Sequence, residues 1–272
     1  VSLSDAQLDR YARHIVLREI GGEGQQRLLS AHVLVVGAGG IGCPALQYLA
    51  AAGVGRLTVV DDDRVSLDNL QRQILFGTAD VGRLKADAAG EAVARLNPEV
   101  RFEARRERLT AANAAALLGA ADLVLDGSDN FATRLIVSDH SLAARIPLVS
   151  AAVGQFQAQV GTFAGWRADR PCYRCFVGDA FDAEDCDSCS ELGVLGAMAG
   201  IAGSFAALEA IRWITGFGDD PAGKLHVFDG LAPAMRTLRL VKDPACGACG
   251  SGGQPAAHPL DQQQGEAEQG RA

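Results

Sequence analysis

Two groups of residues in this chain have the types and spacing for chemistry. The first is cysteine. Cys172 and Cys175 form a C-x-x-C pair, and Cys246 and Cys249 repeat it about 70 positions later. Paired C-x-x-C spacing suits a tetrahedral four-cysteine zinc site, which has no open position for substrate and is therefore structural. A redox-active C-x-x-C and unbound thiols are the competing readings. The second group is a glycine loop, Gly37-Ala38-Gly39-Gly40-Ile41-Gly42, with Asp61 placed 22 residues after Gly39. Glycines at this spacing let backbone approach phosphates, and a helix opening there adds positive potential. Asp61, ending the next apolar run, could accept hydrogen bonds from ribose hydroxyls. A tight turn without a ligand is the plainer alternative.

The loop does not choose among NAD, FAD and ATP, so the other charged residues must. Asp61 opens the string Asp61-Asp62-Asp63-Arg64, which leads to Asn69, Arg72 and Gln73. Lys85 follows, then Asp126-Gly127-Ser128-Asp129-Asn130. A dehydrogenase needs no triphosphate clamp. Arg72 and Lys85 as cations, with Asp129 as a magnesium ligand, suit a nucleoside triphosphate and its metal. Each has a bland reading too: Arg72 as a solvated loop residue, and Asp129 as the cap of a helix over 130–145. Lys85 is one of three lysines, with Lys224 and Lys242. No Ser-His-Asp arrangement is recognisable.

Regular elements must bring these residues together. A helix is expected over 4–30. The run His32–Val36 reads as a buried strand entering the glycine loop, and the helix after it carries Pro44 in its first turn. Strands over 56–60, 100–104, 121–125 and 148–153 alternate with helices over 85–96, 110–118 and 130–145. That alternation predicts parallel βαβ units in a doubly wound, Rossmann-like α/β sheet. Its strand C-termini would bring Asp61 and Asp129 to the mouth holding the glycine loop. Beyond 153 the spacing loosens. Strands over 157–163, 225–228 and 235–241 surround a helix over 194–215, giving a mixed β lobe on the same sheet. The expected organisation is one domain over 1–250. Its nucleotide-binding part spans about 30–153, its partner-binding and zinc part spans about 154–250, and a disordered tail covers 251–272.

Composition excludes several classes. The net charge is −8, against a general nucleic-acid binder. Hydrophobic residues make up 48% of the chain, which argues for a folded core. The N-terminal residues carry no apolar signal core, so a cytoplasmic protein is expected. The uncharged stretch Leu192–Leu208 is Gly/Ala-rich and short for a membrane span, and reads as a buried or interface helix. Seven cysteines in a reducing compartment favour metal or catalysis over disulfides.

Arg10-Tyr11-Ala12-Arg13, the GAGGIGCP loop, AGVGRLTVVDDDRVSLDNLQRQ, Lys85, LDGSDN, PLVSAAV, PCYRC and CGACG together span residues 10–250. In these the chain resembles the MoeB/ThiF/HesA adenylyltransferases, relatives of ubiquitin-activating enzymes. The resemblance implies that Gly39, Gly40, Gly42, Asp61, Asp63, Asn69, Arg72, Gln73, Lys85, Asp129 and Asn130 hold ATP with Mg2+. It also implies a homodimer in which Arg13 reaches the partner's nucleotide site. The implied reaction is adenylation of the C-terminal glycine of a ubiquitin-like sulfur-carrier protein, MoaD-type for molybdopterin or ThiS-type for the thiamin thiazole. No further domain follows residue 250 in this sequence, so a separate sulfur donor is expected. In some relatives a cysteine attacks the acyl-adenylate. Cys189 has the matching Cys-x-x-x-Gly-Val spacing to Gly193-Val194, and Cys186 does not. Asp182, Glu184, Asp185 and Asp187 nearby would raise its pKa, so a spectator role stays open. Cys43, at the start of the glycine-loop helix, reads as packed. An NAD-dependent oxidoreductase, a tRNA-modifying dehydratase relative and a non-catalytic scaffold are the alternatives.

Overall fold

The computed structural model describes residues 3–178 and 193–250. Cys186, Cys189 and the expected tail over 251–272 lie outside the described residues. Among the described residues eight strands form one sheet. They are β1 (His32–Val36), β2 (Arg56–Val60), β3 (Arg101–Arg105), β4 (Leu123–Asp126), β5 (Leu148–Gly154), β6 (Gln157–Phe163), β7 (Lys224–Asp229) and β8 (Ala234–Arg239). Their order is β3-β2-β1-β4-β5-β6-β7-β8. β3 through β5 run parallel, and β5–β6, β6–β7 and β7–β8 pair antiparallel. The expected second lobe is thus a continuation of the same sheet.

β1 is apolar and buried along its whole length because both faces of the sheet are covered. Its side chains alternate between two cores, as strand geometry requires. Val33 and Val35 enter the core built with α3 (Gly21–Ser30), α4 (Gly42–Ala52), α5 (Lys85–Leu96) and α9 (Gly196–Thr215). Leu34 and Val36 enter the other, with α6 (Ala111–Leu118), α7 (Phe131–Ala143) and the short α8 (Tyr173–Val177).

By length and apolar composition α9 could cross a membrane. Here it packs against α3, α4, β5 and β6. A Cβ on its Gly203 would stand 2.2 Å from the Ile41 carbonyl oxygen, so only glycine lets α9 cross so close to the start of α4. Its fully buried Glu209 is paired with Arg212 at 2.5 Å.

The helix expected over 4–30 is not continuous. It divides into α1 (Asp5–Arg10), α2 (Ala12–Ile15) and α3. Tyr11 breaks it at the first joint with φ −104°, turning its ring inward to 2% exposure. Its hydroxyl accepts a hydrogen bond from Asn97 Nδ2 at 2.9 Å. At the second joint Gly21 takes φ +60°, outside the right-handed helical region.

Candidate active site

A cleft of about 350 Å³ opens at the C-terminal ends of β1, β2 and β4, where the strand order reverses about β1. Ligand crevices of doubly wound sheets form at such a point. The glycine loop forms one wall. Gly37 sits at φ +86°, the left-handed turn that lets the chain leave β1 and enter α4. Gly39 and Gly40 line the cleft, and Gly40 lies beneath the Arg72 side chain. Gly42 does not line it. A Cβ there would stand 1.9 Å from the Gly37 carbonyl oxygen, so this glycine lets helix and strand pack.

Asp61 reaches the cleft from the end of β2, but both its oxygens are engaged. Oδ2 accepts the Ala38 N–H at 2.7 Å and Oδ1 the Asp63 N–H at 2.8 Å. Burial pushes its carboxyl above the ordinary range, against the opposing pull of Lys85 and of the two N–H groups. Lys85, first residue of α5, is only 5% exposed, and its Nζ donates to Asp63 Oδ2 at 2.8 Å.

Asn69 and Gln73 stand one helical turn apart, and Gln73 Nε2 donates to Asn69 Oδ1 at 2.6 Å. Gln73 Oε1 is buried without a partner, an acceptor available on the cleft wall. Arg72 donates to the Asp68 carbonyl at 3.3 Å.

Asp129 and Asn130 close the cleft where α7 begins. Asn130, not Asp129, is the cap: its Oδ1 accepts the Thr133 N–H at 2.9 Å. Asp129 is left as an exposed carboxylate whose Oδ1 takes one bond, from Asn130 Nδ2 at 3.3 Å. The capping alternative for Asp129 is therefore set aside, because the residue after it has the extended backbone and does the capping.

The cleft thus gathers Gly39, Gly40, Asp61, Asp63, Asn69, Arg72, Gln73, Lys85, Asp129 and Asn130. It does not include Arg13, which is exposed on α2. It adds a residue the sequence reading did not single out. Arg134 on α7 is 6% exposed and lines the cleft. It donates to the Ser128 carbonyl, to the Ala151 carbonyl at 2.9 Å and to Ser150 Oγ at 3.3 Å. Its signal was the helical stripe Arg134, Val137, Ser138, Ser141, which puts one cation on the inward face of α7.

Away from the cleft, the sulfurs of Cys172, Cys175, Cys246 and Cys249 lie within 4.8 Å of one another. Cys172–Cys175, Cys172–Cys246 and Cys175–Cys249 are separated by 3.8, 3.6 and 3.4 Å. A tetrahedron with metal–sulfur bonds of about 2.3 Å has edges of about 3.8 Å, so the cluster fits a metal held by four thiolates and is too open for disulfides. The Asp243 N–H points at Cys175 Sγ from 3.5 Å. Cys43 is packed, as expected. Burial pushes its thiol up to about 12.

The model of the ThiF family matches residues 11–248. The chain is 45% identical over 247 residues to the sulfur carrier protein adenylyltransferase of Thermus thermophilus, covering 90% of this chain and 91% of that protein. It is 41% identical over 248 residues to the molybdopterin-synthase adenylyltransferase of Escherichia coli, covering 91% and 98%. It is 42% identical over 261 residues to the SAMP-activating enzyme E1 of Haloferax volcanii, covering 96% of each. Among solved structures, E. coli MccB superposes with a TM-score of 0.80 at 19% identity, over 94% of this chain and 76% of that one. That likeness concerns the fold alone.

Proposed function

The chain belongs to the ThiF family, and from that footing we propose how its cleft works. The protein is an adenylyltransferase that activates the C-terminal glycine of a ubiquitin-like sulfur-carrier protein with ATP. The observation that carries the reading is the meeting of Arg72, Lys85 and Asp129 on a glycine-loop cleft.

The glycine loop and the start of α4 take the phosphates. An oxygen of the carrier's terminal carboxylate attacks the α-phosphorus of ATP. The bond from that phosphorus to the α–β bridging oxygen breaks, so acyl-AMP forms and pyrophosphate leaves. An α-carboxyl has a pKa of about 3.5, so the nucleophile is already ionised and no general base is needed. The difficulty is electrostatic, since an anion approaches a polyanion. Arg72 and Lys85 offset the charge that grows on the leaving pyrophosphate. Mg2+, when bound, neutralises phosphate charge, and the exposed Asp129 carboxylate is the oxygen ligand that would hold it. Asp61 acts on the loop, holding the Ala38 and Asp63 N–H groups in place at the cleft wall.

Four further assignments complete the reading. The cluster of four cysteines holds a structural zinc. The working unit is a homodimer in which Arg13 completes the partner's site. Apolar side chains left exposed near Arg13 and on α4 and α9, namely Val16, Leu17, Tyr48, Ile201 and Leu208, support a covered face. The carrier docks along β8, whose outer edge is unpaired among the described residues and which exposes Met235 and Leu238, followed by Val241. A separate donor supplies the sulfur.

The test is carrier-dependent ATP–pyrophosphate exchange, with a MoaD-type and a ThiS-type carrier assayed separately. Exchange with one names the pathway, and exchange with both means a shared activator. Exchange with neither, by protein that binds MgATP, overturns the carrier assignment.

A further inference from the structure

Asp126 ends β4 beside Ser150 of β5, its partner in the parallel register. It is fully buried, and its Oδ1 accepts the Ser128 N–H at 3.0 Å. The carbonyl of the same Ser128 accepts from Arg134 Nη2. One residue of backbone is thus held at its N–H by a buried carboxylate and at its carbonyl by a buried guanidinium. Ser150 completes the frame. Its Oγ accepts from Arg134 Nη1 at 3.3 Å and stands 3.5 Å from Asp126 Oδ2. Arg134 Nη1 also donates to the Ala151 carbonyl at 2.9 Å, so the two arms of the guanidinium reach β5 and the turn after β4. The next residue in that turn is Asp129, whose carboxylate is exposed.

Local rules disfavour an arginine here. Arg134 lies in the first turn of α7, where the partial positive charge of the helix N-terminus opposes a cation. It is 6% exposed, and these bonds all go to uncharged oxygens. A charge buried on such terms costs stability. Departures of this kind concentrate at functional sites. We propose that Arg134 and Asp126 are positioning residues for Asp129. Gripping Ser128 from both sides, they fix the direction in which the Asp129 carboxylate enters the cleft. The inference rests on reading Asp129 as the magnesium ligand of a nucleotide cleft.

The competing possibility is that Arg134 only fastens α7 to β5. Arg134→Lys separates the two, because it keeps the charge but has one nitrogen where arginine has a fork, and cannot reach Ser128 and Ala151 together. Asp126→Asn keeps the shape and weakens the hold on the Ser128 N–H. It tests the same grip from the other side should Arg134→Lys fail to fold. Hydrogen exchange of nucleotide-free protein is read by mass spectrometry, and ATP affinity is measured by calorimetry with Mg2+ and with EDTA. Each variant is expected to speed exchange in 127–130 by about 10-fold or more, with α7 and β5 within about 3-fold of wild type. The gain in ATP affinity that Mg2+ brings should fall by about 10-fold, while affinity in EDTA changes by less than about 3-fold. In an Asp129→Ala background, Arg134→Lys should cause no further fall in that gain. Unchanged exchange in 127–130 overturns the proposal, as does loosening confined to α7. Equal losses of affinity with and without Mg2+ would overturn it too, since Arg134 would then touch the nucleotide itself. The amide rates need neither catalysis nor ligand. A wild type that binds no nucleotide would sink the reading of the cleft, and the grip on Ser128 would still be decided by exchange.

Discussion

Asp61 accepts the backbone N–H of Ala38 at 2.7 Å, and with its other oxygen that of Asp63. One carboxylate thus ties the glycine loop to the end of β2. In Asp61→Asn the amide N–H2 would face one of those two donors. Hydrogen bonds to charged groups contribute about 1.5–3 kcal/mol each. The variant should melt several degrees lower and bind MgATP at least about 10-fold more weakly. Melting curves with and without nucleotide would check this, and unchanged nucleotide protection would count against it.

Arg72→Ala, Lys85→Ala and Asp129→Ala should each lower pyrophosphate exchange by roughly 100–1000-fold, as for other lost transition-state partners. Arg72 and Asp129 are not buried, so their variants should melt close to wild type. A folded Arg72→Ala or Asp129→Ala protein with near-normal exchange would remove the site assignment.

If Arg13 serves the partner's site, two inactive variants should rescue each other. In a mixed dimer of Arg13→Ala and Arg72→Ala, one of the two sites keeps both arginines. Equal mixing with free subunit exchange should restore about a quarter of wild-type activity. No recovery in dimers shown to have mixed would place Arg13 outside the site.

Metal analysis should find one zinc per chain, and Cys249→Ser should lower both that ratio and the melting temperature. Full zinc content in Cys249→Ser would contradict a four-sulfur site.

Cys43 gives a pH prediction. Its thiol lies at about 12 in the folded chain against 9.0 for an ordinary cysteine, because burial disfavours the thiolate. Between those values the unfolded chain has lost a proton that the folded chain keeps. This group's contribution to stability is therefore intact below pH 9 and declines as pH rises toward 12. Iodoacetamide at a pH of about 8.5 should label Cys43 only after unfolding. Labelling of native protein at the rate of a free thiol would refute the burial argument.

Much of the cleft was legible because its parts carry letters. The run His32–Val36 announces a strand buried on both faces, and the residues after it announce a turn and a helix start. The partners of Asp61 were not legible: they are main-chain N–H groups, which have no letter, so the acid read as a ribose acceptor. Gly42 failed in a related way. Motif spacing assigns it to the ligand, but its neighbour is the Gly37 carbonyl.

The break at Tyr11 depends on contacts distant in sequence. A Cβ at Gly53 would stand 2.5 Å from the Tyr11 ring, and Asn97 binds its hydroxyl. Local periodicity favours one helix over 4–30, and long-range packing divides it. Arg134 was visible only as a charge on the inward stripe of α7, a signal that gains meaning once β5 is seen behind it.

A metal on the four sulfurs also changes the chain's connectivity. Cys172 and Cys246 lie 74 positions apart, so the metal closes the intervening chain into a ring. By the relation for covalent cross-links, such a closure removes roughly 4 kcal/mol of freedom from the unfolded chain. Covalent continuity between the two cysteine pairs then becomes dispensable for cohesion. A single protease nick inside the ring would leave two fragments that travel as one particle until a chelator frees them.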